Sequence, residues 1–260
     1  MSTPLLEFRN VTVFRGSRPG LEEVSLSIAQ GEHAAILGPN GSGKSTFIQA
    51  VTRELYPRYP PPACELRILG RDTWNIFDLR PLLGIVTNDL AAQCTQPYPV
   101  RETVLSGFFS SIGIWPNHHV TPAMEAKAEE LMDLLEIAHL ADRPLTEMSS
   151  GEVRRAVIAR ALVHDPKALV LDEPSNSLDL RAQAELREIT RKLARAGLGL
   201  LLVTHHLPDI IPEIGRVICL RQGRVFLDGP KREVLTEANL RELFGVPVRL
   251  EQRDGYYAAW

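Results

Sequence analysis

At 260 residues, 44% apolar and 23% charged, the chain has the composition of an ordinary soluble globular protein, long enough for one large α/β domain or two small lobes. Its formal net charge of −3 gives no field that gathers nucleic acid or anionic lipid without a local patch. Cys64, Cys94 and Cys219 match neither a disulfide framework nor a zinc pattern, and no apolar run approaches the ~18–20 residues that span a bilayer.

Met1–Asn10 lacks a basic segment followed by an apolar core, so it does not read as a secretory signal and a cytoplasmic location is expected. Leu5–Arg9 and Val24–Ile28 alternate apolar with polar residues, as half-exposed strands around a turn at Gly16–Gly20. His33–Leu37 is a short apolar run that enters a glycine-rich loop, and a helix is predicted from Lys44. Tyr56–Pro62 is a proline-rich break, and Glu65–Leu69 and Gly84–Thr87 read as further strands. From about Asp89 to Leu162 the pattern turns helical, with Met124, Ala128, Leu131 and Leu135 on one helix face.

Ala168–Leu171 reads as a buried strand, Leu186, Ile189 and Leu193 mark a helix, and Leu200–Thr204 is another apolar strand. Arg216–Leu220 and Arg224–Asp228 form a predicted hairpin around Gln222-Gly223. Leu235–Phe244 is a predicted helix, followed by a short aromatic-ended strand pair. Strands alternating with helices imply a mostly parallel sheet, interrupted by a helical subdomain near residues 90–163.

Gly38-Pro39-Asn40-Gly41-Ser42-Gly43-Lys44-Ser45 fits the phosphate-loop pattern G-x-x-x-x-G-K-[ST] between a strand and a helix. The glycines let consecutive backbone N–H groups turn toward one anion, and the helix N-terminus adds a favourable dipole. Lys44 is expected to reach the β- and γ-phosphates of ATP, and Ser45, with Thr46 as a second candidate, to offer Mg²⁺ a hydroxyl. Asp172 closes the apolar strand, where a carboxylate can hold Mg²⁺ through its water shell. Glu173 follows and is the expected base for the attacking water.

Met148-Ser149-Ser150-Gly151-Glu152 lies 23 residues ahead of the Asp-Glu pair, counted from Ser149 to Asp172, and resembles the ABC (ATP-binding cassette) signature L-S-G-G-Q. It also reads as a capping box, Ser149 at N-cap and Glu152 at N3. Asn176-Ser177-Leu178-Asp179 resembles the family's D-loop S-A-L-D, and Val203-Thr204-His205 resembles its switch segment. The resemblance runs over roughly residues 5–230. It implies an α/β P-loop NTPase of ABC type, with a mostly parallel core sheet, an antiparallel β subdomain and an inserted α-helical subdomain. On that pattern 1–88 and 164–230 form the catalytic core lobe, 89–163 the helical subdomain and 231–260 a C-terminal extension. It further implies that His205 contacts the γ-phosphate and that Ser149, Ser150, Gly151 and Asp179 serve the nucleotide held by a second, head-to-tail copy. His206 is expected to face away.

Three positions depart from the family's pattern. Asn88 stands where the Q-loop glutamine is usual, one methylene shorter, so it reaches Mg²⁺ through water; Gln93 is the rival position. Arg15, with Phe14 beside it, stands where an aromatic residue usually stacks on adenine, a role a planar guanidinium can fill. The signature ends Ser150-Gly151-Glu152, which places a carboxylate near phosphate unless Glu152 turns back onto its own helix.

Val203–Pro208 and Leu243–Pro247 look most like a bacterial branch associated with import of iron complexes or molybdate. The resemblance therefore implies an importer's ATPase subunit, most simply a homodimer, attached to the inner membrane face through integral permease subunits. Asp89–Phe109 serves there either as permease groove or as ordinary subdomain core. The other reading is a soluble ABC ATPase acting on nucleic acid or ribosomes. Relatives of that kind carry two cassettes or long insertions, which one phosphate loop and one signature in 260 residues do not match. Arg181, Arg187, Arg191 and Arg195 share a helix with Glu185 and Glu188, as on a solvated face, so no direct nucleic-acid contact is expected. Trp115, His118 and His119 read as loop residues.

Overall fold

A computed structural model describes residues 3–58 and 64–260, so part of the predicted break at Tyr56–Pro62 lies outside the described residues. In chain order the elements are β1 (Leu6–Arg15), β2 (Arg18–Ile28), β3 (His33–Leu37), α1 (Lys44–Val51), β4 (Glu65–Ile68), α2 (Ile76–Leu79), β5 (Leu83–Val86) and α3 (Asn88–Cys94). They continue with α4 (Val100–Leu105), α5 (Pro122–Leu134), α6 (Ser150–Leu162), β6 (Ala168–Asp172), α7 (Leu180–Arg195), β7 (Gly199–Thr204), β8 (Arg216–Arg221) and β9 (Arg224–Pro230). The chain closes with α8 (Lys231–Val234), α9 (Glu237–Phe244), β10 (Leu250–Arg253) and β11 (Tyr256–Ala259).

Two compact units result, residues 1–76 with 194–260, and residues 77–193. In the first, β3 pairs in parallel with both β7 and β8, and β9 returns antiparallel along β8. Ala34–Leu37 and all of β7 are buried, as continuous apolar strands covered on both faces must be. A separate antiparallel sheet places β1 between β2 and β4. Its inner face is the alternating set Leu6, Phe8, Val11, Val13, Leu21, Val24 and Ile28, and Phe8 stacks on Phe47 of α1 with ring centroids 5.0 Å apart.

The β1–β2 hairpin runs further than its periodicity predicts, up to a tight turn at Gly16 (φ +63°). Register shifts between Phe8 and Phe14 break the clean alternation, which hid the outer halves of both strands. The tail helix is also shorter than its apolar pattern. Thr236 accepts a hydrogen bond from Asn239 N and caps α9, which leaves Leu235 in the link after α8. Lys231 fixes the tail hairpin, its buried ammonium donating to the carbonyls of Ile211, Pro212 and Gly255.

The second unit holds the parallel pair β5–β6 and helices α3 to α7, so the helical segment 89–163 shares it with β5 and β6. Thr121 caps α5 by accepting from Met124 N, and the predicted stripe buries Ala128, Leu131 and Leu135. Helix α6 buries Val153, Ala156, Val157, Ile158, Ala159 and Leu162 on more than one side, which makes it the central helix of this unit.

Candidate active site

Within the first unit, β3 delivers the chain to a loop in which side chains are excluded by contact. A Cβ on Gly38 would stand 2.4 Å from Leu220 O and 2.5 Å from Ser42 Oγ. Gly43, the N-cap of α1, has φ 109° and ψ 0°, and a Cβ there would stand 2.6 Å from Gly20 O. Gly41 also has positive φ (78°) but faces open space. The β8–β9 turn holds the loop from behind, because Gly223 N donates to Ser42 O at 2.9 Å and Glu22 N donates to Gly223 O at 2.8 Å.

Lys44 curls over this loop, Nζ donating to Gly38 O at 2.8 Å and Pro39 O at 3.2 Å. Ser42 Oγ is buried without a hydrogen-bond partner among the described residues. A glycine cradle at a helix N-terminus, a lysine ammonium and an orphaned hydroxyl are the donor set that a phosphate chain requires, so the residues fit the group. Pro39 is half-buried, and Asn40 and Ser45 are exposed at the mouth. Thr46 is not: it is buried, with Oγ1 2.3 Å from where a Gly20 Cβ would stand. Its hydroxyl packs under β2, because the helical turn that exposes Ser45 rotates the next residue inward.

Arg15 is exposed at the hairpin tip, opposite Arg18. Phe14 is half-buried, and the Arg58 guanidinium covers its ring at 4.7 Å from the centroid. Of the two stacking candidates, Arg15 has the uncovered side chain.

At the end of β7, Thr204 Oγ1 accepts from His206 N at 2.9 Å and donates to buried Asp209 Oδ2 at 3.1 Å. The chain bends at His205, directly after the strand, and the clamp spans that bend. Consecutive residues therefore stop alternating sides, and His206 lies against His205 with ring centroids 3.8 Å apart, not turned away as the sequence implies.

In the second unit, Asp172 ends β6 half-buried, and Glu173 adopts φ +46° directly before Pro174. A non-glycine residue in the left-handed region costs about 1–3 kcal/mol, and such strain concentrates where a side chain must be aimed. The turn closes through Asn176 N to Glu173 O (3.1 Å) and Leu178 N to Ser175 O (3.1 Å). Asp179 Oδ1 then accepts from Ala182 N at 2.7 Å and caps α7.

The signature end of α6 lies against that turn. A Cβ on Gly151 would approach Ala182 Cβ to 2.8 Å, and Ser150 Oγ donates to Ser177 O at 3.4 Å. The capping box is complete: Ser149 N and Oγ donate to Glu152 Oε2 at 2.8 and 2.7 Å, and Glu152 N donates to Ser149 Oγ at 3.3 Å. The hydrogen bond from the Ser149 hydroxyl, aided by its backbone amide and by Arg155 and Arg143, holds the Glu152 carboxyl below the usual carboxylate range. That carboxylate thus serves its own helix end.

Asn88 opens α3, whose cap is Thr87 Oγ1 accepting from Leu90 N at 3.1 Å, and its Oδ1 accepts a hydrogen bond from Arg154 Nη2. Gln93 is exposed one turn later. Sequence reasoning missed Arg154, Asp209 and Thr87; only Thr87, a threonine ahead of Asn88-Asp89, carried a local capping signal. On α7, Arg181 pairs with Glu185 and Arg191 with Glu188, as on a solvated face. His118 stacks on Phe109 at 4.2 Å and its Nδ1 accepts from Trp115 N, which holds the His118 ring within its loop, while the Trp115 side chain is exposed.

Comparison with known proteins agrees with this chemistry. The profile of the family described as ABC transporter matches residues 21–176. The hemin import ATP-binding protein HmuV of Bradyrhizobium diazoefficiens is 33% identical over 260 residues, covering 96% of this chain and 92% of that protein. The zinc import ATP-binding protein ZnuC of Alkalilimnicola ehrlichii is 34% identical, covering 94% of this chain and 85% of that protein. Among solved structures, a Clostridium perfringens protein that is part of the ABC transporter complex cbiONQ superposes with a TM-score of 0.77 at 26% identity. That match covers 92% of this chain and 94% of that one.

Proposed function

The chain belongs to the ABC transporter family and is an ATP-binding, ATP-hydrolysing cassette; from that premise we propose that it energises a membrane importer of a metal complex or oxyanion. The relatives named for hemin and zinc import support the cargo class. The observation that carries the nucleotide chemistry is the loop at Gly38 and Gly43, where backbone contacts exclude any Cβ.

The amides of residues 41–46 bind the phosphates, and Lys44 exchanges the carbonyls of Gly38 and Pro39 for β- and γ-phosphate oxygens. Ser45 would offer Mg²⁺ a hard oxygen ligand, and Asp172 and Asn88 would hold it through its water shell. When bound, Mg²⁺ offsets the charge of the β- and γ-phosphates. Glu173 accepts the proton of the attacking water as the water oxygen bonds to the γ-phosphorus and the β–γ bridging oxygen leaves with ADP. His205, fixed by the Thr204–Asp209 clamp, contacts the γ-phosphate. Arg15 stacks on the base.

Each chain carries one phosphate loop and one signature, so a complete site takes two copies arranged head to tail. Ser149, Ser150 and Gly151, with Asp179 behind them, face the γ-phosphate held by the other copy. No helix among the described residues is long and apolar enough to cross a membrane. The relatives named for import support attachment to the inner membrane face through integral permease subunits, with the exposed residues of Asp89–Phe109 as the contact and its buried part, Val100 and residues 103–106, as subdomain core.

Hydrolysis per chain measured against protein concentration tests the composite site, with Lys44→Ala as control. The rate should rise with concentration until pairing saturates, and Lys44→Ala should lose charge-assisted contacts worth about 1.5–3 kcal/mol each and stop turnover. A constant rate in a demonstrably monomeric preparation refutes the pairing. ATP-driven uptake of hemin, zinc and molybdate into proteoliposomes, with whichever integral membrane subunit co-purifies with this chain, tests the cargo class.

A further inference from the structure

Arg154 lies one turn into α6 and is only 5% exposed. Its Nη2 donates to Asn88 Oδ1, while Nη1 is buried without a hydrogen-bond partner among the described residues. Burial works against the guanidinium charge and the Asp172 carboxylate supports it, so the cation stands in the field of that carboxylate. A buried ionised group with an unmet donor is costly, and it keeps its place only where fixed partners hold it. Asn88 is such a partner. Its position at the start of α3 is set by the Thr87 cap, and Arg154 is set by the burial of α6 around it.

We propose that Arg154 is a positioning residue: through Asn88 it ties the segment after β5 to helix α6, so that the nucleotide state at Asn88 is transmitted to the signature end of the same chain. The proposal rests on the composite two-chain site described above. In that site α6 faces the partner's nucleotide, so the Asn88–Arg154 contact links the two nucleotides of the dimer. On this proposal the unmet Nη1 donor is met in a second arrangement, in which a shift of Asn88 brings it an oxygen acceptor, beside the one observed. Such a two-state element is what transmission requires. The pair also has a fixed span, a short carboxamide met by a long guanidinium, so lengthening or shortening one side alone breaks the contact.

The test uses the full chain carrying Glu173→Gln, with ATP-dependent dimerisation followed by light scattering. Asn88→Gln, which adds one bond of reach, and Arg154→Lys, which removes one and keeps the charge, are added singly and together. Each single change should weaken the dimer about tenfold or more, the loss of one hydrogen bond to a charged group. The combined exchange, which restores the span, should recover most of that loss. A second measurement is the unfolding midpoint of the four nucleotide-free proteins, in which the double variant should be less destabilised than the sum of the singles. Additive losses in both measurements overturn the proposal, as does a dimer indifferent to all three variants. If the Glu173→Gln parent itself forms no dimer, the composite site fails and the transmission role with it. The unfolding cycle still decides in that case whether the contact exists.

Discussion

Three glycines of the phosphate loop differ in what forbids a side chain, and that difference is measurable. At Gly41 the only obstacle is φ +78°, since nothing lies within 4 Å of an added Cβ. The left-handed conformation costs an L-residue about 1–2 kcal/mol, so Gly41→Ala should weaken nucleotide binding or stability by that amount. At Gly38 the backbone carries no positive φ, but Leu220 O and Ser42 Oγ stand 2.4 and 2.5 Å from the new carbon. Overpacking of that kind costs about 1–3 kcal/mol. Gly43 combines both obstacles, with φ +109° and Gly20 O at 2.6 Å, so Gly43→Ala should cost about 2–5 kcal/mol. That is about thirtyfold or more in binding if the loop alone absorbs it. Titration with a fluorescent ATP analogue, paired with unfolding midpoints, gives both shares. If Gly43→Ala matches Gly41→Ala on the two readouts together, the cradle is not the phosphate site described.

The capping box makes the signature helix pH-sensitive. Glu152 titrates below its unfolded value, so its contribution is present above the ordinary carboxylate range and disappears as pH falls through the depressed folded value. Ser149→Ala should therefore cost about 1 kcal/mol near neutrality and less in acid, and a pH-independent difference in unfolding free energy contradicts the box. Asp209→Ala removes an acceptor from the buried Thr204 hydroxyl and should cost about 1–3 kcal/mol while slowing hydrolysis more than it weakens ATP binding, because it frees the His205 segment. Equal losses in binding and turnover would assign Asp209 to general stability.

The parts legible in the sequence are those whose chemistry fixes residue type and spacing along one short stretch. The loop from Gly38 to Ser45 and the Ser149–Glu152 box are of that kind, because backbone amides aimed at one anion, or at one helix end, need contiguous residues. The strand positions of β3, β6 and β7 followed from unbroken apolar runs. Contacts between distant segments were not legible. Arg154 meets Asn88 across 66 residues, and nothing in either neighbourhood marks the other. Local geometry that overrides periodicity was hidden too: the Thr204–Asp209 clamp turned His206 onto His205, and register shifts carried β1 past its alternating half. Thr46 shows the remaining kind of loss, since a hydroxyl near a phosphate loop can be core, and only the rotation of α1 decides it.

The central claim, that Glu173 is the base of a site completed by two chains, is tested most directly by size-exclusion chromatography of Glu173→Gln with ATP and Mg²⁺. The amide keeps the shape of the carboxylate but cannot accept the water's proton, so hydrolysis should fall by about 10²–10⁴ while the phosphate loop and Asp172 still bind ATP. The signature end of each chain then meets an intact γ-phosphate, and a stable dimer should appear that the wild type forms only transiently. A variant that hydrolyses ATP like the wild type, or that binds ATP and remains monomeric, contradicts the account.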